Sequence, residues 1–283
     1  VETKGDGSEE AFVWESAGAD GYTIKDFIKE EPGTKIILTL KDNTDEEDYD
    51  QYLRNYRIND IVKRYSDYIR YPIELNGETL NSMVPLWRRA KDELTQEDYE
   101  NFYEHNFEGY EKPLCFIHTK AEGTISYNAV LYIPSKAPYN IWQNDALHGL
   151  KLYVKKTFIM DDCKDLLPPW LRFVRGVVES EDLPLNVSRE ILQSNKIVTN
   201  IRKHVIKKTL EALQNMSKDE EKYTAWWKEL GMVLKEGFYM NWEHLDELKK
   251  LIRFESTKTE EGKLVSLEQY VERMPEGQKE IYY

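Results

Sequence analysis

The chain has 283 residues, 40% hydrophobic and 12% aromatic, with a formal net charge of −13. That length admits two compact units and a buried core, and the composition is globular rather than disordered. The acidic excess argues against a non-specific nucleic-acid surface, which needs cations to release counterions, and no apolar run reaches the ~18–20 residues that span a bilayer.

The chain starts in strand-like VETKGDGSEEAFVWES and stops on β-prone EIYY, which reads as a piece of a longer protein. AFVWES, GYTIKDF and TKIILTL, separated by Gly-Ala-Asp-Gly and Glu-Pro-Gly turns, predict a small antiparallel sheet over residues 11–40. KDNTDEEDYDQ is too acidic to pack. After it, Leu53, Tyr65, Tyr68 and Ile69 mark a helical stripe that Tyr71-Pro72 ends. YPIEL opens a new strand, so the domain boundary falls near residue 70.

In TQED, Thr95 matches a helix cap signature. PLCFIHT and TISYNAVLYIP read as a hairpin, and GLKLYVKKTFIM and RFVRGVVES as further strands. Between the last two, DDCKDLLPPWL reads as a short helix stopped by Pro168-Pro169. From Ser188 a long amphipathic helix is expected, with Ile191, Val198, Ile201, Val205 and Ala212 on its apolar side. Ser217 with Glu220 should cap the next helix, closed by Gly237; NWEHLDELKKLI is a third, and Ser266 with Gln269 caps a short one. The expected fold class is α/β: a layered α-β-α unit, then a helical segment and a small terminal α/β unit, preceded by antiparallel strands and a helix.

One residue sits where local physics would not place it. A cation in a helix's first turn, as Arg189 is after the cap Ser188, costs roughly 0.3–1 kcal/mol against the helix dipole. An arginine beside the free N–H groups of a helix start makes an anion site, most naturally for phosphate. Gln193, four residues on, shares its helical face. A surface arginine paired with a carboxylate remains the plain alternative. Gly33-Thr34 could present a hydroxyl to a ligand or be an ordinary type II turn. Asp161-Asp162 and the Glu179–Asp182 run could ligate a cation or be solvated turns. The five histidines lack HxxxH or HExxH spacing, and Cys115 and Cys163 form no disulfide framework or metal pattern, so the simplest compartment is a reducing cytosol. There is no GxxxxGK[ST], GxGxxG or GxSxG, so no recognisable phosphate loop or nucleophile elbow is present. Of the adjacent Trp226 and Trp227, one is expected to be partly exposed.

LPLNVSREILQ (183–193) resembles the middle-domain signature of the 90-kilodalton heat-shock chaperones. FVWES (12–16), PGTKIILTL (32–40), VPLWRR (84–89), YIPSKAP (132–138), GLKLYVKKTFIMDD (149–162) and YVERMPEGQKEIYY (270–283) are similar to family segments in the same order, across the whole chain. The passage from SDYIRYPIEL without a long charged linker resembles the bacterial HtpG type. The resemblance implies a member of the gyrase–chaperone–histidine-kinase–MutL ATPase fold, cytoplasmic, with ATP and Mg²⁺ bound mainly by upstream residues. It divides the chain into the end of the N-terminal ATPase domain (1–69), a large α/β middle subdomain (70–187), a helical segment (188–250) and a small α/β subdomain (251–283). It assigns Thr34, with Gly33, to the Gly-Thr element near adenine. It assigns Arg189, with Gln193, to γ-phosphate contact when the chain's own N-terminal domain closes. Tyr110 stands where many relatives have another aromatic linked to client contact; Phe158 and Trp87 are further client candidates. The implied partners are unfolded or partly folded proteins. Dimerisation belongs to an absent C-terminal domain, and the piece alone is expected to be inactive. The rival readings are a client- or partner-binding module with no catalytic part and a DNA-acting ATPase of the same superfamily, which the charge disfavours.

Overall fold

The computed structural model describes residues 1–18, 21–107, 111–123, 125–143, 149–185, 192, 195–240 and 243–282. The chain divides into two compact units, Val1–Asp60 and Ile61–Tyr283.

In the first unit β1 (Glu2–Lys4), β2 (Ala11–Gly18), β3 (Gly21–Phe27) and β4 (Gly33–Lys35) form a four-stranded sheet in the order β3-β2-β1-β4. The pairings of β1 with β2 and β4, and of β2 with β3, are antiparallel, as expected. Of the third predicted strand only Thr34 and Lys35 pair, within β4; Ile36, Ile37 and Leu38 continue exposed without strand structure. The acidic stretch that follows is likewise exposed up to Asp48. Helix α1 (Asn55–Tyr65) comes next.

The second unit is built on a five-stranded sheet of β7 (Cys115–Ala121), β8 (Tyr127–Ile133), β9 (Leu150–Val154), β10 (Thr157–Cys163) and β11 (Arg175–Ser180), in the order β10-β9-β11-β8-β7. β9 and β11 are parallel; the other pairs are antiparallel. Side chains alternate along a strand, and here both faces are covered, which is why β8 is almost uniformly apolar and buried. Tyr127, Ala129, Leu131 and Ile133 join one core cluster with Leu150, Leu152 and Val178. Helices α3 (Lys196–Met216), α4 (Glu220–Lys235) and α6 (Leu245–Leu251) supply its other side through Val205, Leu230 and Leu248. Val130, Tyr132, Tyr153 and Val177 form the opposite cluster with Trp87, Tyr68 and the helix α2 (Gln96–Asn106) residues Tyr99 and Tyr103. This is the layered α-β-α arrangement expected from the sequence. At the sheet's centre Gly176 has φ +153, and a Cβ there would lie 2.3 Å from the carbonyl oxygen of Val130; only glycine fits. The small elements also form: hairpin β5 (Glu74–Leu75) with β6 (Glu78–Thr79), short helix α5 (Gly237–Met240), and the pair β12 (Phe254–Glu255) and β13 (Leu264–Val265) followed by α7 (Leu267–Glu272).

Several local expectations are corrected. GLKLYVKKTFIM is two strands, because Lys155 and Lys156 turn the chain at φ 50 and 66. DDCKDLLPPWL holds no α-helix: β10 runs to Cys163, and two 3-10 turns follow, Lys164–Leu166 and Pro169–Leu171, the second starting on a proline rather than ending at one. The helix expected to run on from Ser188 is interrupted, since Asn195 is extended (φ −82, ψ 120) and its side chain accepts the N–H of Ile197 to cap α3. Asp219, not Ser217, caps α4, because Ser217 still closes α3. Gly237 begins α5 instead of ending α4; a side chain there would press on Trp170 and Leu248. Trp226 and Trp227 are both buried, 1% and 6% exposed, because the second ring occupies the space that a side chain at Gly231 would need. The caps at Thr95 and Ser266 form full capping boxes as expected.

Candidate functional site

β11 alternates between the two cores. Val177 faces the aromatic side, so Glu179, two residues on, must face it too. A carboxylate is thereby carried to 0% exposure, where an unpaired charge would be very costly. It is fully answered. The 3-10 turn Leu86–Arg88 brings up the Trp87 Nε1–H at 2.7 Å and the Arg88 Nε–H and Nη2–H, both at 2.6 Å. The backbone N–H of Lys156, in the β9–β10 turn, donates at 2.5 Å. Arg88 reaches on to Glu181 at 2.7 Å, and its bond to Glu179 leads the causes that raise its pKa above the usual arginine value. Beside this node a cleft of about 600 Å³ opens at the carboxyl ends of β9 and β11.

The segment that continues from β11 is pinned at its start. Ser180 donates to the carbonyl of Ser126 at 3.0 Å, Asp182 accepts the N–H of Ser126 at 2.7 Å, and Leu183 is buried in the main core. Leu192 is buried in the same core, and Asn195 then caps α3. Ser188, Arg189 and Gln193 lie outside the described residues, as does Tyr110.

Of the other expected site residues, Gly33 and Thr34 belong to the first unit. Gly33 sits at φ +126 and opens β4. The exposed Thr34 shares a 2.8 Å hydroxyl–hydroxyl bond with Thr3, its register partner. Trp87 is 1% exposed, edge-on to Tyr68 and tilted against Tyr153; its ring offers no surface to another protein in this structure. Phe158 is half-buried between Tyr65 and Tyr153. Asp161 and Asp162 are not a cation site. Arg64 holds Asp161 at 2.8 Å with Lys151 at 3.7 Å, while Lys164 and the N–H of Gly149 engage Asp162. Among the described residues no three His, Cys, Asp or Glu are grouped to hold a metal ion, and no helix is long and apolar enough to cross a membrane.

Sequence reasoning missed Arg88, Lys155, Lys156 and Arg70 around the cleft. VPLWRR carried family likeness but no charge role, and Lys155-Lys156 was hidden inside what reads as one strand. The only available signal was the pair of like charges at the midpoint of a twelve-residue β-prone run.

These elements define a mixed α/β protein whose layered sheet is followed by helices and a small terminal sheet. The Hsp90 protein family model matches residues 74–283. Over its whole length the chain is 46% identical to the chaperone protein HtpG of Bacillus subtilis (strain 168) and 45% identical to those of Clostridium botulinum (strain Hall) and Clostridium perfringens. The chain belongs to the Hsp90 family, as LPLNVSREILQ and its companion segments indicate. It covers 48% of each of these relatives, so it spans about half the length of the curated relatives it matches.

Proposed function

We propose that this chain is the middle segment of an ATP-dependent molecular chaperone acting in the cytoplasm. Residues 1–69 form the tail of its nucleotide domain, 70–187 the large middle subdomain, 188–250 the helical segment and 251–283 the small subdomain. Arg189 contacts the γ-phosphate of ATP held, with Mg²⁺, mainly by the N-terminal domain, and Gln193 stands beside it. Thr34 and Gly33 lie near the adenine. An arginine delivered from a second domain makes hydrolysis conditional on closure, which links the nucleotide cycle to client handling.

Identity of 46% and 45% over the whole of this chain to chaperones named HtpG carries this reading. Two described residues flanking Arg189 support it: Leu183 and Leu192 are both buried in the main core. A phosphate-sensing group needs firm supports on either side of it. Unfolded proteins are the proposed clients of the middle domain, with Tyr110 and Phe158 among its contacts; Trp87 acts by holding the aromatic core beneath Phe158. The intact protein dimerises through a C-terminal domain outside this chain. The test is to add this chain to the isolated nucleotide domain of the same protein. Hydrolysis should rise with chain concentration while the chain alone shows none, and an unchanged rate would contradict the reading.

A further inference from the structure

The cleft at the end of the large sheet has the features of a second binding site. It opens outside the carboxyl ends of the parallel pair β9 and β11, the place where open α/β sheets hold their ligands. Its charged lining is Arg70, Arg88, Lys155, Lys156, Glu181 and Asp182. With Glu179 beneath it, four cations meet three carboxylates, on a chain whose net charge is −13. The carboxylates are engaged. Glu179 and Glu181 both hold Arg88, and Asp182 accepts the N–H of Ser126. Three of the cations have no carboxylate partner among the described residues: Lys155, Lys156 and Arg70, which lies over the Tyr71 ring at 4.6 Å and donates to its hydroxyl.

The turn that carries the lysines is costly to build. A two-residue hairpin turn with both residues left-handed is cheapest as Asn-Gly, yet Lys155 and Lys156 occupy it at φ 50 and 66. The bond from Lys156 N–H to Glu179 ties that turn to the buried node. Backbone strain held in place by buried bonds is common at ligand clamps. The hydroxyl-bearing Tyr71 and Thr157 complete the polar wall.

We propose that this cleft binds a phosphate-bearing anion of several charges, with Lys155, Lys156 and Arg70 as its charged donors. A guanidinium fork, two ammonium groups and neutral hydroxyls suit the many acceptor oxygens of linked phosphates better than a lone carboxylate. The site uses no residue between 186 and 194 and stands independently of the role proposed for Arg189.

Titration calorimetry of the chain with sodium tripolyphosphate at low salt tests it. Saturable one-to-one binding is expected. It should weaken about tenfold or more, the size of one charge-assisted hydrogen bond, in the double variant Lys155→Asn, Lys156→Asn, since asparagine tolerates the left-handed turn. Arg70→Gln should weaken it similarly without touching the hairpin. The control Lys203→Gln, Lys207→Gln removes the same charge from the exposed side of α3 and should leave affinity unchanged. Absence of saturable binding, equal weakening in the control, or tighter binding of a tetraglutamate peptide than of tripolyphosphate would overturn the proposal.

Discussion

Glu179 and Asp161 are both ion-paired carboxylates in the large unit, and their surroundings set very different consequences. Glu179 has no exposure and four donors, so removing it strands the Trp87 N–H in the core and leaves the partly exposed Arg88 with Glu181 alone. Glu179→Ala should lower unfolding stability by about 2–3 kcal/mol, below the roughly 3–5 kcal/mol of an uncompensated buried charge because Arg88 keeps Glu181. Arg64→Ala breaks a pair whose arginine is mostly exposed and should cost under about 1 kcal/mol. Urea unfolding of both variants checks the contrast. His118 adds a pH dependence. Its Nε2 lies 3.2 Å from the carbonyl oxygen of Trp87, which can only accept, so the neutral ring donates there and Nδ1 accepts from the Tyr99 hydroxyl at 2.6 Å. Burial holds its pKa below the ordinary 6.5. As pH falls below about 6.5 the unfolded chain takes up a proton that the folded ring resists, so this contribution to stability declines toward the lower folded pKa. The stability slope between pH 7 and 5.5 should therefore be shallower in His118→Phe. The cysteines behave similarly: burial pushes the Cys115 thiol up to about 11 and Cys163 up to about 12. Neither should react with iodoacetamide at pH 8 until the chain unfolds.

At the scale of elements, the capping boxes and the centre of the sheet give the sharpest expectations. Thr95→Ala should cost about 1 kcal/mol by freeing the N–H of Asp98 at the start of α2. Gly176→Ala meets immovable backbone and should cost at least the 1–3 kcal/mol typical of overpacking, seen as a lowered urea midpoint. The sequence made legible those features that local chemistry decides alone. Thr95 and Ser266 cap where their spacing says, the PLCFIHT hairpin forms, and the stripe of α3 is buried at Val198, Ile201 and Val205. It failed where tertiary structure overrides local preference. The Lys155-Lys156 turn has no turn chemistry of its own and holds because β9 and β10 pair and Glu179 accepts the Lys156 N–H. Trp226 and Trp227 fit inside together because a glycine one turn later leaves room for the second ring. Glu179 reads as a solvated strand end, and only the three-dimensional approach of Leu86–Arg88 makes it a buried centre.

For the whole molecule, the large unit is a sheet clamped between two cores, with buried anchors on both sides of the segment that carries Arg189. The sequence carries no phosphate-loop motif, and in the proposed reading the phosphate that Arg189 meets is held by another domain. Membership of the Hsp90 family, with a chain covering about half of its relatives, fits that division of labour. Arg189 is proposed to act on a nucleotide bound elsewhere. Arg189→Ala in the intact protein tests it most directly, with turnover and nucleotide affinity measured on the same sample. Loss of an arginine that acts only on transferring phosphate should cut turnover by about 10²-fold or more and change affinity far less. Turnover equal to that of the unmodified protein would contradict the account.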